Sequence, residues 1–210
     1  VKIKLVTAIL FLSFASAGCL GGSPPQQRFL RITDTGVCKE KTGQEAKETL
    51  IIAVKDFKSL LSLDRTNVLI SNNRVLAPSH SWYWEATPAE TLTMTVADRI
   101  SFSNSFSSAW PYRPRIERDA VLTGYVTSFA AELDPPGRFI ASVRIELWNE
   151  RGREKLAEKE FDVSREVPGF NPEELGDPNS LAQNAADAVC IMGNEIRAWL
   201  EENEQLIRNQ

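Results

Sequence analysis

Residues 121–163 read VLTGYVTSFAAELDPPGRFIASVRIELWNERGREKLAEKEFDV, and they contain three predicted strands separated by two turns. In the middle strand, apolar side chains occupy every second position from Phe139 to Leu147, with Arg144 and Glu146 among the residues between them. This alternation is typical of a strand that buries one face. The turns at 134–137 and 149–152 are rich in Pro, Gly, Asn and Asp, the residues that reverse a chain. We therefore predict an antiparallel meander.

The segments outside the meander predict further strands and two helices. The strands are predicted at Phe29–Ile32, Thr49–Val54, Asn67–Ile70 and Arg74–Leu76. The first helix begins at Thr87 and Pro88, since Glu90 completes a capping box and an apolar stripe follows. The second begins near Pro178 and carries an apolar stripe to Leu200. These elements predict an α+β fold: a mostly antiparallel sheet with two main helices packed on one face.

The N-terminus has the composition of an export signal. Lys2 and Lys4 precede a short apolar run that ends in Ser16-Ala17-Gly18-Cys19. An apolar run of this length after a basic start is typical of a signal peptide and is too short for a membrane-spanning helix. The small residues before Cys19 resemble a lipobox, although Ser16 stands where Leu is usual. The alternative is an ordinary signal peptide cut nearby, with Cys19 incidental.

These features predict three parts: a lipoprotein signal peptide at 1–18, a lipidated cysteine with a flexible tether at 19–27, and a single α+β domain at 28–210. Fatty acyl chains such as palmitate on Cys19 would hold the domain on a membrane. In Gram-negative lipoproteins generally, Asp after the cysteine favours inner-membrane retention. Leu20 therefore indicates the outer membrane, with the domain facing the periplasm.

The charge of the chain argues against a nucleic-acid partner. The 210 residues include 24 Lys plus Arg and 28 Asp plus Glu, for a formal net charge of −4. Without Lys2 and Lys4 the balance is 22 against 28, or −6. A domain with this acidic balance has no overall electrostatic attraction to nucleic acid or to an anionic lipid surface.

We find no recognisable catalytic motif in the sequence. One histidine, His80, is too few for a multi-histidine metal site, and no nucleophile elbow or phosphate-binding glycine loop is present. A packed or surface histidine is the simpler interpretation of His80, and an envelope hydrolase that uses it is the alternative. We expect no enzymatic activity, no metal and no cofactor.

Cys38 and Cys190 remain once Cys19 is lipidated. In an oxidising periplasm these two residues are candidates for a disulfide, and two separate thiols are the alternative.

Aromatic residues are concentrated around Trp82, Trp84 and Trp110. They form either part of the core or an exposed patch for a partner or a lipid, and the sequence leaves both interpretations open.

The order of these features resembles the auxiliary lipoproteins of ABC-type transport systems, which accompany MCE-domain proteins in lipid traffic between two bacterial membranes. The resemblance starts with the lipobox and the strand at Phe29, and continues with a Leu-Asp-Arg turn at Leu63-Asp64-Arg65 before a hydrophobic strand. It then includes Trp84 shortly before the capped helix, and it extends to the C-terminal helix. Cys38 and Cys190 depart from the general pattern.

The resemblance implies a non-enzymatic subunit that docks a periplasmic component at the outer membrane. The implied partner is an MCE-type protein or another ABC transport subunit, with a homo-oligomer as an open alternative. Candidate partner contacts are Asp64, Arg65, Trp82, Trp84 and Trp110. The alternative function is a structural or assembly lipoprotein of the outer membrane or cell wall.

Overall fold

The structure, a computed structural model, describes residues 26–32, 49–168 and 177–210. The strands are β1 (Arg28–Leu30), β2 (Leu50–Val54), β3 (Lys58–Ser59), β4 (Asn67–Asn72), β5 (Val75–Trp84), β6 (Phe106–Ala109), β7 (Ala120–Glu132), β8 (Arg138–Asn149) and β9 (Lys155–Glu166). The helices are α1 (Pro88–Ile100), α2 (Pro178–Glu202) and α3 (Glu204–Arg208).

Strands β7, β8 and β9 form the predicted antiparallel meander. The apolar row from Phe139 to Leu147 is fully buried, whereas Arg144 between its members is exposed. The two turns end on Gly137 and Gly152, with φ of 79° and 64°. Positive φ values favour glycine, because it has no Cβ. Both turns therefore form at the positions that the sequence predicts.

The rest of the sheet corrects the expectation of a mostly antiparallel arrangement. Strand β8 covers one edge of β7, and β2, β3 and β4 all pair in parallel with its other edge. Strands β6 and β1 add parallel pairings to β2 and β5. The sheet is therefore mixed. Strand direction depends on how the chain crosses between strands, and hydrophobic alternation is the same in both directions.

Helices α1 and α2 pack on one face of this sheet, as predicted. Thr87 caps α1, and its hydroxyl accepts a hydrogen bond from the Glu90 N–H at 3.3 Å while the Glu90 carboxylate accepts from the Thr87 N–H at 2.8 Å. The apolar stripes of both helices join the inner side chains of the strands in one cluster that extends from Leu30 to Ile207.

An aromatic cluster fixes β5 against the meander. Trp84 is 1% exposed, and its ring lies 5.6 Å from Phe129 and 5.9 Å from Phe139, both edge to face. Phe129 and Phe139 are 4.9 Å apart in the same geometry. Such edge-to-face contacts add to the burial of the rings, so this cluster is a strong link between the two parts of the sheet.

Candidate functional site

The Asp64-Arg65 turn lies between β3 and β4, and both side chains are exposed. The turn closes through N–H groups of Leu63 and Asp64, which donate to the Leu60 carbonyl at 2.8 and 3.1 Å. Leu63 is 2% exposed and anchors the turn in the core. This arrangement leaves the two charged side chains accessible from solvent.

The three candidate tryptophans lie in different environments. Trp84 is buried in the core and packs against Phe129. The expectation that it contacts a partner is therefore corrected. Trp82 is half-buried, with the Arg28 guanidinium 5.2 Å from its ring. Trp110 is 39% exposed, and its Nε1 donates to Asp56 Oδ1 at 3.4 Å. Trp82 lies on β5, which pairs with β1 near one end of the strand order, whereas Trp110 directly follows β6 at the other end, so the fold does not bring them into one cluster.

Of the three cysteines, Cys19 and Cys38 lie outside the described residues. Cys190 is buried on α2 at 5% exposure, and Asn194 Nδ2 lies 3.8 Å from its Sγ. The pairing of Cys38 with Cys190 stays a prediction.

His80 lies on an irregular part of β5, where the register with β4 shifts, and its side chain is exposed. The Ser79 hydroxyl accepts hydrogen bonds from the N–H groups of Ser81 and Trp82 at 3.3 and 3.1 Å. The His80 carbonyl accepts from the Tyr83 hydroxyl at 3.3 Å. These contacts give the segment around His80 a role in shaping the strand.

A cleft of about 340 Å³ opens beside the two long helices. Its walls include Ile32, Trp84, Met94, Val189 and Cys190. Trp84 Nε1 is buried and has no hydrogen-bond partner among the described residues. The cleft thus combines an apolar wall with polar groups, since Glu85, Asp98 and Arg99 also line it.

A groove of about 560 Å³ lies on the opposite face of the sheet, which the helices leave uncovered. Tyr125, Arg144 and Trp148 line it from β7 and β8, and Lys55 and Lys58 line it from the chain after β2. Tyr125 is 39% exposed. We call these five residues the sheet-face groove.

Neighbouring contacts fix the sheet-face groove. Trp148 Nε1 donates to Thr123 Oγ1 and Glu146 Oε2, each at 3.2 Å, and Lys55 Nζ lies 5.1 Å from the Tyr112 ring. Trp110 borders the groove through Asp56, which lines it. Its aromatic and basic side chains can bind apolar and acidic groups of a partner.

Sequence reasoning missed this groove, apart from Trp110 at its border. A signal was available, because Trp148 and Arg144 occupy outward positions of the alternating strand, where an aromatic ring does not join the core.

The perturbed ionisable groups have structural causes. Hydrogen bonds from the Thr87 backbone and side chain hold the pKa of Glu90 below its ordinary value. Hydrogen bonds from Lys155 to Glu158 and Glu146 raise the pKa of Lys155, and the Lys155 contact lowers the pKa of Glu158. Each shift therefore arises from a helix cap or from an ion pair at the surface.

Within residues 26–32, 49–168 and 177–210, no group of three His, Cys, Asp or Glu side chains is placed to hold a metal ion. No helix in the same part of the chain has the length and apolar composition needed to cross a membrane.

Comparison with known proteins gives a likeness in fold. No family model matches the chain, and no curated protein sequence matches it. A Xanthomonas campestris protein of family DUF330 is similar in structure, with a TM-score of 0.66 and 14% identity over 79% of this chain and 91% of that one. An uncharacterized protein has a TM-score of 0.57 and 14% identity over 81% and 99%.

A lipoprotein from Neisseria meningitidis has a TM-score of 0.36 and 12% identity over 60% of this chain and 90% of that one, which is too low to carry an argument. At 14% identity the first two likenesses establish the fold alone. The chain thus has a fold similar to that of the DUF330 protein, and its function must be argued from its own residues.

Proposed function

We propose that this chain is a lipoprotein anchored at Cys19 in the outer membrane, and that its domain is a non-enzymatic auxiliary subunit of an ABC/MCE-type envelope transport system. In this role it docks a periplasmic component of the system, in traffic of lipid between two membranes. The resemblance of the sequence to auxiliary lipoproteins supports this function. A structural or assembly lipoprotein is the alternative.

The observation that carries the proposal is the sheet-face groove. One face of the sheet is covered by helices, and the other presents exposed Tyr125 with Trp148 beside three cations, Lys55, Lys58 and Arg144. Asp56 and Glu146 are the anions of the same groove, so its local charge is +1 on a chain whose net charge is −4. A partner segment with acidic and apolar side chains fits this surface.

The lipid anchor would allow the domain to bind its partner even if the contact at the sheet-face groove is weak. A domain held on a membrane meets a partner that crosses the periplasm at a raised effective concentration, so each individual contact can be weak.

Photo-crosslinking in cells tests the docking. Probes at Trp110 and Tyr125 are expected to capture an MCE protein or a permease, and a probe at Leu206, 45% exposed on α3, serves as the control. Lys58→Glu is expected to reduce capture several-fold, whereas Arg74→Glu at the exposed β4–β5 turn is expected to leave it unchanged. Capture only of peptidoglycan-associated proteins, with normal outer-membrane lipid balance in a deletion strain, would favour the structural alternative.

Metabolic labelling tests the anchor separately. A labelled fatty acid is expected to mark the wild-type chain and not Cys19→Ala. Equal labelling of both would show that Cys19 is not the lipidated residue.

A further inference from the structure

An exposed aromatic pair lies on the edge of the sheet formed by β1. Phe29 is 64% exposed, and its ring centroid lies 5.6 Å from that of Tyr83, its register partner on β5. Tyr83 is half-buried and lies on the opposite side of its strand from the core residue Trp84. The pair therefore presents apolar rings to the exterior.

Arginines flank the pair. The Arg28 guanidinium lies 5.2 Å from the ring of Trp82, its register partner on β5, on the other side of the strands from Phe29, where Trp82 packs against the core. The Arg31 side chain is 72% exposed and forms an ion pair with Glu85 at 2.8 Å. Two cations against one anion give this edge a local charge of +1. Aromatic rings with basic groups beside them are the combination found at the headgroup level of membranes.

The chain length between the anchor and this edge limits their separation. Nine residue steps connect Cys19 to Arg28, where β1 begins. Fully extended, nine residues span at most about 30 Å. Since Phe29 follows directly, it is, among the described residues, the exposed large apolar side chain nearest in sequence to the proposed lipid anchor.

We propose that Phe29 and Tyr83, with Arg31 on the same side of the strands, form a membrane-facing patch, and that this patch holds the domain on the lipid surface with β1 toward the bilayer. Phe29 enters the interface, Tyr83 lies at the headgroup level, and Arg31 contacts the phosphates. This inference rests on the anchor at Cys19, and it adds an orientation to the proposed function.

This orientation of the domain on the membrane also leaves the sheet-face groove accessible to a partner. The groove belongs to β7, β8 and the chain after β2, whereas the patch belongs to β1 and β5 at one end of the strand pairing order. A domain held by its β1 edge leaves the groove free for a periplasmic partner.

The test uses the full-length chain in a bacterial envelope, with a benzophenone analogue of phenylalanine at position 29. The analogue suits this position because Phe29 is exposed and aromatic. The matched control carries the same probe at Leu206, which is 45% exposed and lies beside the β8–β9 turn. After irradiation, intact mass should show phospholipid adducts several-fold more abundant at position 29 than at position 206.

A second variant checks the role of the Phe29 side chain. A probe at Tyr83 is compared in the wild-type and Phe29→Ser chains, and Phe29→Ser is expected to lower lipid capture several-fold. Leu206→Ser is expected to leave that capture unchanged. Since Phe29 is mostly exposed, its replacement removes little core packing, and a thermal melt verifies folding.

Each outcome decides a separate question. Protein adducts alone at position 29, equal lipid adducts at positions 29 and 206, or no effect of Phe29→Ser would overturn the membrane-facing patch. If Cys19 is labelled by fatty acid while position 29 captures no lipid, the anchor stands and the patch is wrong. If position 29 captures lipid without labelling of Cys19, the patch stands and the anchor fails.

Discussion

Gly124 shows how one residue sets the local packing of the sheet. It lies in the middle of β7, and a Cβ built at this position would lie 2.6 Å from ring atoms of Phe57. Phe57 is itself held in place, because its N–H donates to Thr93 Oγ1 on α1 at 2.9 Å. The glycine is therefore required for the close approach of an aromatic ring.

We expect Gly124→Ala to lower the free energy of unfolding by about 1–3 kcal/mol, the usual cost of overpacking a core. The cost should be much smaller in a Phe57→Ala background, where the ring is absent. Urea denaturation of the four proteins of this double-mutant cycle measures both values. An equal cost of Gly124→Ala in both backgrounds would contradict the proposed contact.

At the scale of elements, α1 is the helix with the most complete local signal. Thr87 and Glu90 form the capping box seen in the sequence, and Pro88 occupies the first helical position, as expected. The Thr87 N–H and hydroxyl both donate to Glu90 Oε2 at 2.8 Å. These bonds are stronger to the ionised carboxylate than to the protonated carboxyl group, which is why they lower the pKa of Glu90.

We expect the cap to weaken in acid. Because the pKa of Glu90 is lower in the folded state, its contribution is present above the ordinary value of 4.5 and is lost as the pH falls through the lowered pKa. Thr87→Ala should cost about 1 kcal/mol at pH 7, and this cost should shrink at pH values below the folded pKa. Thermal melts across pH measure it, with Glu202→Ala at the exposed end of α2 as the control. A cost of Thr87→Ala that is constant with pH would count against this account.

At the scale of the whole molecule, one core connects the two ends of the domain. Leu30 of β1 and Ile207 of α3 belong to the same cluster, which the helices close from one side. Cys190 is buried in this region on α2. A covalent link from α2 to Cys38, near β1 in sequence, would reinforce a connection that packing already makes.

We expect Cys38 and Cys190 to be linked in protein purified from the periplasm. Non-reducing mass spectrometry should find the joined peptides, and reduction should lower the melting temperature. A loop of about 150 residues corresponds to about 5 kcal/mol in the chain-entropy model, which is an upper bound. Under oxidising conditions the Cys38→Ser variant should melt at a lower temperature than the wild type, by about as much as reduction lowers the melting temperature of the wild type. Two thiols that both react with an alkylating reagent would refute the pairing.

Sequence reasoning was sufficient wherever the signal was local. The alternation around Val143, the turn glycines Gly137 and Gly152, and the cap at Thr87 each depend on neighbours within a few residues, and each is found in the structure. The composition around Cys19 is a local signal too, and it predicts the anchor that the described residues do not include.

The parallel strand pairings and the positions of the candidate binding surfaces could be determined only from the tertiary structure. The direction in which β2 and β4 pair with β7 depends on chain crossovers. The short strands β3 and β6 each pair in parallel with one neighbour, β7 and β2, which lie far from them in sequence or carry no local signal for the pairing. Trp84 and Phe29 are both aromatic residues in strands, yet one is 1% exposed and the other 64%. Their environments differ because burial depends on which strand face the helices cover, and that is a property of the assembled fold.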